Sequence, residues 1–361
     1  MTAGRAVHAV LPGDVDTAPS GGNVYDRRVL AGLTALGVDV VRHRLPGPWP
    51  DGDASAVAEA LTGVPDGAAV LLDGLVACGV PEALAAHADR LRLVVLVHLP
   101  LADEAGLAPA SARDRDARER AALHHAAAVV TTSRWTADRV VARHGLDPAR
   151  VSVAAPGVDP APVSPGAAVS GTPPRLLCLG ALTPTKGQDV LVEALSRIAD
   201  RPWTAVLAGP TDRDPGFVVR LRTAIARHGL AGRVGLPGVV QDAALDAVWA
   251  TTDLLVLPSR AETFGMVVTE ALARGIPVVA SRVGGVAEAV GPGGGPLGGP
   301  GTWVPSENVG TLAAVLRRWL EDPVLRSGWR LSALGRRGTL RPWCSPSRLM
   351  SQVLRLPGPP A

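Results

Sequence analysis

Two glutamates, Glu262 and Glu270, stand eight positions apart in the stretch RAETFGMVVTEALARGIP, residues 260–277. On one helix they would lie about 12 Å apart along the axis and roughly 80° apart around it, which is too far for paired acid–base chemistry. With Glu262 in a turn after a strand and Glu270 two turns into the next helix, both carboxylates could contact one long ligand. Each hydrogen bond from a hydroxyl to a carboxylate contributes about 1.5–3 kcal/mol. The spacing therefore favours recognition of an elongated ligand, with two solvated charges on a helix as the alternative.

Groups suited to an anion surround this stretch. The backbone N–H groups near Phe264, Gly265 and Met266 fall at the predicted helix start, where they lack intrahelical acceptors and favour an anionic or hydroxyl-rich ligand. In LGALTPTKGQDVLVEAL, Lys186 and Gly187 stand where a strand gives way to a helix. A lysine beside a helix N-terminus suits a phosphate, although the sequence lacks the GxxxxGK[ST] pattern of a P-loop. A lysine on a surface loop is the alternative interpretation.

Candidate groups also follow strands in the first half of the chain. Gly21 and Gly22 precede the first predicted helix and would let the backbone approach a ligand closely, or form a plain flexible loop. His98 follows the apolar run LRLVVLV and could act as a general base, hydrogen-bond a sugar hydroxyl, or be structural. Asp73 ends another predicted strand and carries the same alternatives. No GxGxxG pattern is present, which disfavours a nicotinamide-binding first domain.

Apolar runs alternate with helical patterns twice along the chain, as expected of parallel strands covered on both faces. This alternation predicts an α/β fold with two doubly wound sheets of right-handed strand–helix–strand units. Ligands of such sheets bind beyond the carboxyl ends of the strands. The predicted strands are 6–12, 38–45, 68–75, 91–99, 128–133 and 151–157 in the first half, and 175–182, 203–210, 233–240, 254–259 and 276–281 in the second.

The length of 361 residues predicts two domains. We place a first Rossmann-like domain at 1–160, a Pro/Gly/Ser-rich linker at 161–174, a second Rossmann-like domain at 175–335, and a C-terminal helix and tail at 336–361. The two domains are expected to face a central cleft. The Gly/Pro-rich stretch 291–301 is interpreted as a surface loop.

Composition excludes several classes of function. Aromatic residues make up only 3% of the chain, which disfavours binding of nucleic acid by base stacking. Three widely spaced cysteines indicate neither a zinc site nor a disulfide framework and fit a reducing cytoplasm. No signal peptide and no apolar run long enough to span a membrane are evident, so we expect a cytoplasmic protein. The net charge of +3 leaves peripheral contact with the inner face of a membrane as an alternative.

Taken in order, these motifs resemble the retaining GT-B glycosyltransferases of family 4, which transfer sugars from nucleotide-sugar donors. The resemblance covers roughly residues 7–325. It rests on the following segments: SGGNVYDRRVLAGLTALG, LVHLPLA, TTSRWTADRV, APGVD, LGALTPTKGQDVLVEAL, VLAGP and LVLPSRAETFGMVVTEALARGIPVVAS. The bias towards Ala, Gly, Arg and Pro is typical of a high-GC bacterial genome.

The resemblance implies roles for the residues of the 260–277 stretch. Glu262 would contact hydroxyls of the donor sugar, and Glu270 would contact the ribose of the nucleotide. The residues Thr263, Phe264, Gly265 and Met266 would line the donor sugar, largely through their backbone.

Further roles implied by the resemblance fall on both halves of the chain. Lys186 would neutralise the diphosphate, and the Gly21–Gly22 segment would approach the diphosphate from the first domain. His98 would lie near the reacting sugar, which gives an expected catalytic set of His98, Glu262 and Lys186. The C-terminal helix is similar to one that crosses back to the first domain. No metal and no other cofactor is expected, because cations and helix termini balance the charge.

One position departs from the family pattern. Many relatives carry an arginine directly after the glycine that ends the strand before the KG motif, whereas this chain has Ala181. Another cation, such as Arg134 or Arg260, would then substitute, or donor binding would be weaker.

The resemblance implies a metal-independent hexosyl transfer that retains the anomeric configuration. GDP-mannose is the first candidate donor, with UDP-glucose or UDP-N-acetylglucosamine as alternatives. The acceptor would be a glycan, a lipid head group or a small molecule. The competing functions are a catalytically silent GT-B protein that binds nucleotide or glycan, a nucleotide-sugar 2-epimerase, and, more distantly, a dinucleotide oxidoreductase.

Overall fold

The computed structural model describes residues 6–104, 106–167, 171–293 and 298–355. It divides the chain into two compact units. Unit 1 comprises Met1–Gly157 together with Arg341–Ala361, and unit 2 comprises Val158–Leu340. Within the described ranges, no helix is both long and apolar enough to cross a membrane.

Unit 1 contains a six-stranded, fully parallel sheet with the order β2-β1-β3-β4-β5-β6. The strands β1, β3 and β5 are buried along their whole length and β4 is buried except at Arg92, as their apolar runs predict, whereas the edge strand β2 is partly or fully exposed throughout. The direction of winding changes beside β1, so the β1–β3 edge is the topological switch point of the sheet. The strands are β1 (Val7–Pro12), β2 (Val40–Leu45), β3 (Ala69–Asp73), β4 (Arg92–Val97), β5 (Ala128–Thr131) and β6 (Val151–Val153).

Seven helices belong to the described part of unit 1. They are α1 (Gly21–Ala35), α2 (Ala54–Thr62), α3 (Gly74–Ala77), α4 (Pro81–Ala85), α5 (Pro109–His125), α6 (Arg134–His144) and, from the C-terminal segment, α14 (Cys344–Val353). Helix α14 packs on α1, as expected for a C-terminal helix that returns to the first domain. The two helices meet closely at Gly32, where an added Cβ would lie 2.0 Å from the Ser347 hydroxyl oxygen.

Unit 2 contains a second six-stranded parallel sheet, ordered β12-β11-β10-β7-β8-β9. Its switch point lies between β7 and β10, on either side of which the strands continue in opposite directions. The strands are β7 (Arg175–Leu179), β8 (Thr204–Ala208), β9 (Val234–Gly238), β10 (Leu254–Leu257), β11 (Val278–Ser281) and β12 (Gly301–Val304). The sequence did not predict β12, because this four-residue strand begins at Gly301, the last residue of the Gly/Pro-rich stretch 291–301. That stretch lies partly outside the described residues.

The helices of unit 2 cover both faces of this sheet. They are α7 (Gln188–Ser196), α8 (Pro215–Arg227), α9 (Asp242–Ala250), α10 (Met266–Ala273), α11 (Val286–Val290), α12 (Val309–Glu321) and α13 (Pro323–Arg337). The core between α7, α8, α12 and the sheet contains the buried indoles of Trp203, Trp319 and Trp329. Trp203 donates its ring N–H to the Ile198 carbonyl at 2.9 Å, which satisfies its polar group in the core.

The segment predicted as a linker, residues 161–174, is anchored to unit 2 in its first part. Ser164 is buried, and its hydroxyl lies within 2.8 Å of the Trp249 carbonyl and 3.2 Å of the Thr252 carbonyl at the end of α9. The Asp253 carboxylate accepts the N–H groups of Ala167 and Arg175. These contacts fix the chain as it enters β7.

We predict that Gly32→Ala weakens the attachment of α14 to α1, at a cost of about 1–3 kcal/mol from overpacking. Gly328→Ala in α13 is the matched control, because no atom lies within 4 Å of its added Cβ. Alanine should stabilise that helix by roughly 0.5–1 kcal/mol. Amide hydrogen exchange reports each unit separately and should show faster exchange in α14 only for Gly32→Ala. Unchanged protection of α14 in that variant would contradict the described packing.

Candidate functional site

In unit 2, glycines allow the loops after β7 and β10 to touch. Gly187 has a left-handed backbone, with φ of 68°, and its added Cβ would lie 2.2 Å from the Pro258 carbonyl oxygen. Lys186 ends the single 3₁₀ turn Pro184–Lys186 that precedes this glycine. The contact directs Lys186 across to the β10 loop, where its Nζ lies 2.6 Å from Glu262 Oε2. The β7–β10 switch point therefore places a cation and a carboxylate together.

Glu262 lies in the turn beyond β10, as the sequence predicts. The loop after β11 supports its backbone: Gly285 donates to the Glu262 carbonyl at 3.3 Å, and a Cβ on Gly284 would lie 1.6 Å from the same oxygen. Glycine at 284, with φ of 52°, is thus required by this close approach. The Glu262 side chain is 14% exposed, so its carboxylate is restrained and still accessible.

The start of α10 supplies N–H donors beside Glu262. Gly265 is the N-cap, with φ of 85°, and α10 runs from Met266. Across the described ranges, the N–H groups of Phe264, Gly265 and Met266 donate to no acceptor. Phe264 is 7% exposed and anchors the turn in the core, while Thr263 beside it is half-buried. Orphan donors at a helix start favour an anionic or hydroxyl-rich ligand.

Glu270 lies in the second turn of α10 and is half-buried. Its main-chain carbonyl accepts from the Arg274 guanidinium at 3.1 Å. Glu262 in the turn and Glu270 in the helix thus keep the arrangement that the spacing predicts.

Arg260, one of the two cations considered as a substitute for the missing arginine at position 181, is already engaged in ion pairs. Arg260 makes a two-pronged ion pair with Asp189, at 2.9 and 2.8 Å, and pairs with Glu307 at 2.9 Å. The hydrogen bonds that Arg260 donates to these carboxylates, with the bond to Asp189 the larger cause, hold the pKa of Arg260 above its usual range. Its role in the structure is to fix the β10 loop. Arg134 lies in unit 1, at the first position of α6.

The composition of the chain singles out Lys186 more clearly than the local sequence motif does. Lys186 is the only lysine in the chain, since every other residue counted as Lys or Arg is arginine. Lysine is a compact point charge, whereas arginine is a planar fork that would fit this contact with Glu262 differently.

In unit 1, Gly21 and Gly22 are the first two residues of α1, which corrects their placement in a loop ahead of the helix. Ser20 is the N-cap, and its hydroxyl accepts the Asn23 N–H at 3.0 Å. The Ser20 cap stabilises the first helical turn, so Gly21 and Gly22 adopt helical backbone conformation. A Cβ on Gly22 would lie 3.4 Å from the His98 ring, so the helix start borders the histidine directly.

His98 follows β4 and faces two carboxylates. Its Nε2 lies 2.8 Å from Asp26 Oδ1 and 3.6 Å from Asp73 Oδ2. Burial lowers the pKa of His98, but the charge and hydrogen bond of Asp26 and the charge of Asp73 outweigh burial and raise it to about 9. Burial, with the charge of Asp26 next, raises the pKa of Asp73 to about 8. These directions favour the protonated form of both His98 and Asp73.

Asp26 is a site residue that the sequence interpretation missed. The buried positions of α1 include Asp26, Val29, Leu30 and Leu33, the spacing of a core-facing stripe. A carboxylate on such a stripe is the available signal, because buried charges need a partner. Here the partner is His98.

The same three side chains are of the types that divalent metals bind. One oxygen or nitrogen of each of Asp26, Asp73 and His98 lies within 4.8 Å of the other two. The contact between His98 and Asp26 has the length of a charge-assisted hydrogen bond, so we interpret the set as a hydrogen-bonded triad and assign it no metal.

Two protein-family models match the chain, one in each half. The model of the family "Glycosyl transferases group 1" matches residues 165–334, which include Lys186, Glu262 and Glu270. The model "Glycosyltransferase Family 4" matches residues 72–162, which include Asp73 and His98.

The curated relatives are named as glycosyltransferases. D-inositol 3-phosphate glycosyltransferase of Jonesia denitrificans is 32% identical over 274 residues, 69% of this chain and 63% of the relative. The enzyme of that name from Kineococcus radiotolerans is 35% identical over 217 residues, 55% of this chain and 49% of the relative. The matched part of this chain thus spans about half to five-eighths of their length.

Solved structures support the fold. Sucrose-phosphate synthase from Thermosynechococcus elongatus has a TM-score of 0.79 at 21% identity, with 97% of this chain and 98% of that chain covered. HepE of Anabaena, in complex with UDP and glucose, has a TM-score of 0.75 at 19% identity, with 97% and 99% covered. Both family models, the relatives and the two doubly wound sheets lead to one conclusion: the chain belongs to family 4 of the GT-B glycosyltransferases.

Proposed function

We propose that this chain transfers a hexose from a nucleotide-diphosphate sugar to a hydroxyl-bearing acceptor with retention of configuration. The observation that carries the proposal is the pairing of Lys186 with Glu262 at the switch point of unit 2. The open N–H groups at the start of α10 adjoin this pair. A cation, a carboxylate and helix-start donors are the groups that a sugar diphosphate needs.

Each group has a defined task in this proposal. Lys186 and the N–H groups of Gly265 and Met266 neutralise the diphosphate as it leaves with the bonding electrons. Glu262 exchanges its contact with Lys186 for hydroxyls of the donor sugar. Glu270 accepts from the ribose of the nucleotide, and Thr263 and Phe264 line the sugar.

The acceptor hydroxyl attacks from the face that the diphosphate leaves, which retains the configuration. The departing diphosphate oxygen takes the acceptor proton, so no side chain has to act as a covalent nucleophile. In unit 1, Gly21, Gly22 and His98 contribute an edge of N–H donors for the substrates.

GDP-mannose is the first donor to test, followed by UDP-glucose and UDP-N-acetylglucosamine. Inositol 3-phosphate, which appears in the names of the curated relatives, is the first acceptor. Glycans and lipid head groups follow as alternative acceptors. Release of a free epimeric sugar nucleotide without an acceptor would instead support the 2-epimerase function.

The single lysine allows a direct test of donor binding. An amine-selective acylating reagent can modify only Lys186 and the N-terminal amine, which serves as the internal reference. We predict that the correct nucleotide sugar slows acylation of Lys186 several-fold and leaves the reference rate unchanged. The same ligand at 100 times its Kd should stabilise the protein by about 2.7 kcal/mol in thermal unfolding. Equal acylation rates with every donor in the panel would count against the proposal.

Variants of the ion pair should separate nucleotide binding from sugar transfer. We predict that Glu262→Ala and Glu262→Gln reduce transfer at least tenfold while a nucleoside diphosphate still binds, since Lys186 is then released from its partner. Lys186→Ala should weaken binding of both the nucleoside diphosphate and the nucleotide sugar. Lys186→Arg keeps the charge and should give an intermediate loss.

Glu321→Gln is the matched control for the glutamate variants. Its carboxylate pairs with Arg201 and Arg317 at the surface, where such pairs contribute roughly 0–1 kcal/mol. Transfer by this variant should equal that of the parent protein. Unchanged transfer in Glu262→Gln would remove Glu262 from the donor site.

A further inference from the structure

Three elements of unit 1 converge on one imidazole. Asp26 comes from the core-facing stripe of α1, Asp73 from the end of β3, and His98 from the loop after β4. Both carboxylates face the same ring nitrogen, Nε2, at 2.8 and 3.6 Å. One carboxylate would be enough to hold the ring by a hydrogen bond, so the second carboxylate near Nε2 calls for an explanation.

The hydrogen bonds in this cluster need a proton between the two acids. The side chains of Asp26 and Asp73 are 1% and 4% exposed, so water does not balance their charge. Asp73 Oδ1 accepts the Leu75 N–H at 2.6 Å and caps α3. Asp26 Oδ2 is buried and receives no hydrogen from any described residue. A proton on Asp73 removes the repulsion between the acids and gives Asp26 a neighbouring donor.

Among the described residues, the titratable side chains that face His98 are these two acids and Tyr25. From α1, Tyr25 packs edge-on against the ring at 5.3 Å, and its hydroxyl is held by the Ala154 carbonyl at 2.7 Å. Burial raises the pKa of Tyr25 far above its ordinary value, so it stays neutral. Gly22 covers the ring at the helix start. Asp26 is therefore the partner of the imidazole at hydrogen-bond distance, and Asp73, whose pKa burial raises, is the more distant acid.

The second nitrogen of His98 is left for a substrate. Nδ1 contacts neither carboxylate, has no hydrogen-bond partner in the described ranges, and does not belong to the buried unpaired atoms. With Nε2 fixed as a donor to Asp26, a protonated ring presents Nδ1–H as a second donor. Such a ring has no lone pair with which to accept a proton.

We infer that Asp26 and Asp73 are positioning residues that hold His98 as an imidazolium, with Nδ1–H directed at an anionic or hydroxyl oxygen of the substrate. His98 thus acts as a charged hydrogen-bond donor and not as a general base. This inference rests on the proposed glycosyl transfer for its catalytic consequence. The charge state itself concerns the ligand-free protein alone.

The charge state can be measured without turnover, by following the His98 ring signals against pH in NMR spectra, assigned by loss of the signals in His98→Gln. The parent protein should show a His98 pKa well above the ordinary value of about 6.5. Asp26→Asn should bring that pKa to or below the ordinary value, because burial then dominates. Asp73→Asn removes the smaller of the two acid contributions and should lower the His98 pKa less than Asp26→Asn does. A low His98 pKa in the parent protein, or an unchanged one in Asp26→Asn, would overturn the inference.

The pH dependence of turnover is a second measurement, and it would not change if Asp26 had only a structural role. Transfer by the parent protein should fall as the pH rises through about 9, where His98 loses its proton. For Asp26→Asn, transfer at pH near 7.5 should drop at least tenfold and recover towards the parent rate near about pH 6, where histidine is protonated again. Asp73→Asn should lose less than Asp26→Asn. A constant ratio of Asp26→Asn to parent turnover across this range would contradict the inference.

Controls separate the competing explanations. Asp66→Asn changes an exposed carboxylate of unit 1 and should alter neither the His98 pKa nor transfer. Loss of turnover with EDTA, restored by a divalent cation, would show that the three side chains hold a metal and would overturn the triad. If no donor and acceptor pair is turned over while the NMR shifts occur as described, the proposed function fails and the charge assignment stands.

Discussion

Close backbone approach at the β7–β10 switch point is the constraint on which unit 2 depends. Two parallel strands end at the same edge of the sheet, and the loops that follow them must pass within van der Waals contact. Gly187 lies against the Pro258 carbonyl and Gly284 against the Glu262 carbonyl, at distances that exclude any Cβ. Because these glycines remove the side chains that would separate the loops, Lys186 and Glu262 meet at 2.6 Å. The start of α10, with its open N–H groups, is held beside them by the same turn.

Unit 1 also pairs a cation with a carboxylate beside a switch point, and the cation there is His98. There the switch point lies beside β1, and the groups that follow β1, β3 and β4 are a glycine-led helix start, an aspartate and a histidine. In each unit a cation that follows one strand is paired with a carboxylate from a neighbouring element. The partners differ in exposure, which determines what a ligand can do to each pair.

The sequence predicts the strands well where they are continuous apolar runs, since burial on both faces leaves a strong pattern. It also predicts Glu262 in a turn and Glu270 in a helix. It fails at β12, whose four residues are too short for a pattern, and at Asp26, which appears as one polar residue in a helix. The pairing of Lys186 with Glu262, 76 positions apart, follows from the order β10-β7-β8, and strand order is not encoded locally. Burial and strand order are properties of the folded chain, so single residues did not reveal them.

The exposure of the two ion pairs gives them opposite roles. Lys186 and Glu262 are 29% and 14% exposed, so their attraction contributes on the order of 1 kcal/mol or less, and a ligand can replace each partner at little cost. His98 and Asp26 are 19% and 1% exposed, and separating such a pair leaves a buried charge at a cost of about 3–5 kcal/mol. In the proposed function a substrate would separate Lys186 from Glu262 more readily than His98 from Asp26. Unit 2 would then rearrange its charges around the ligand, whereas unit 1 would present a charge that is fixed before the ligand arrives.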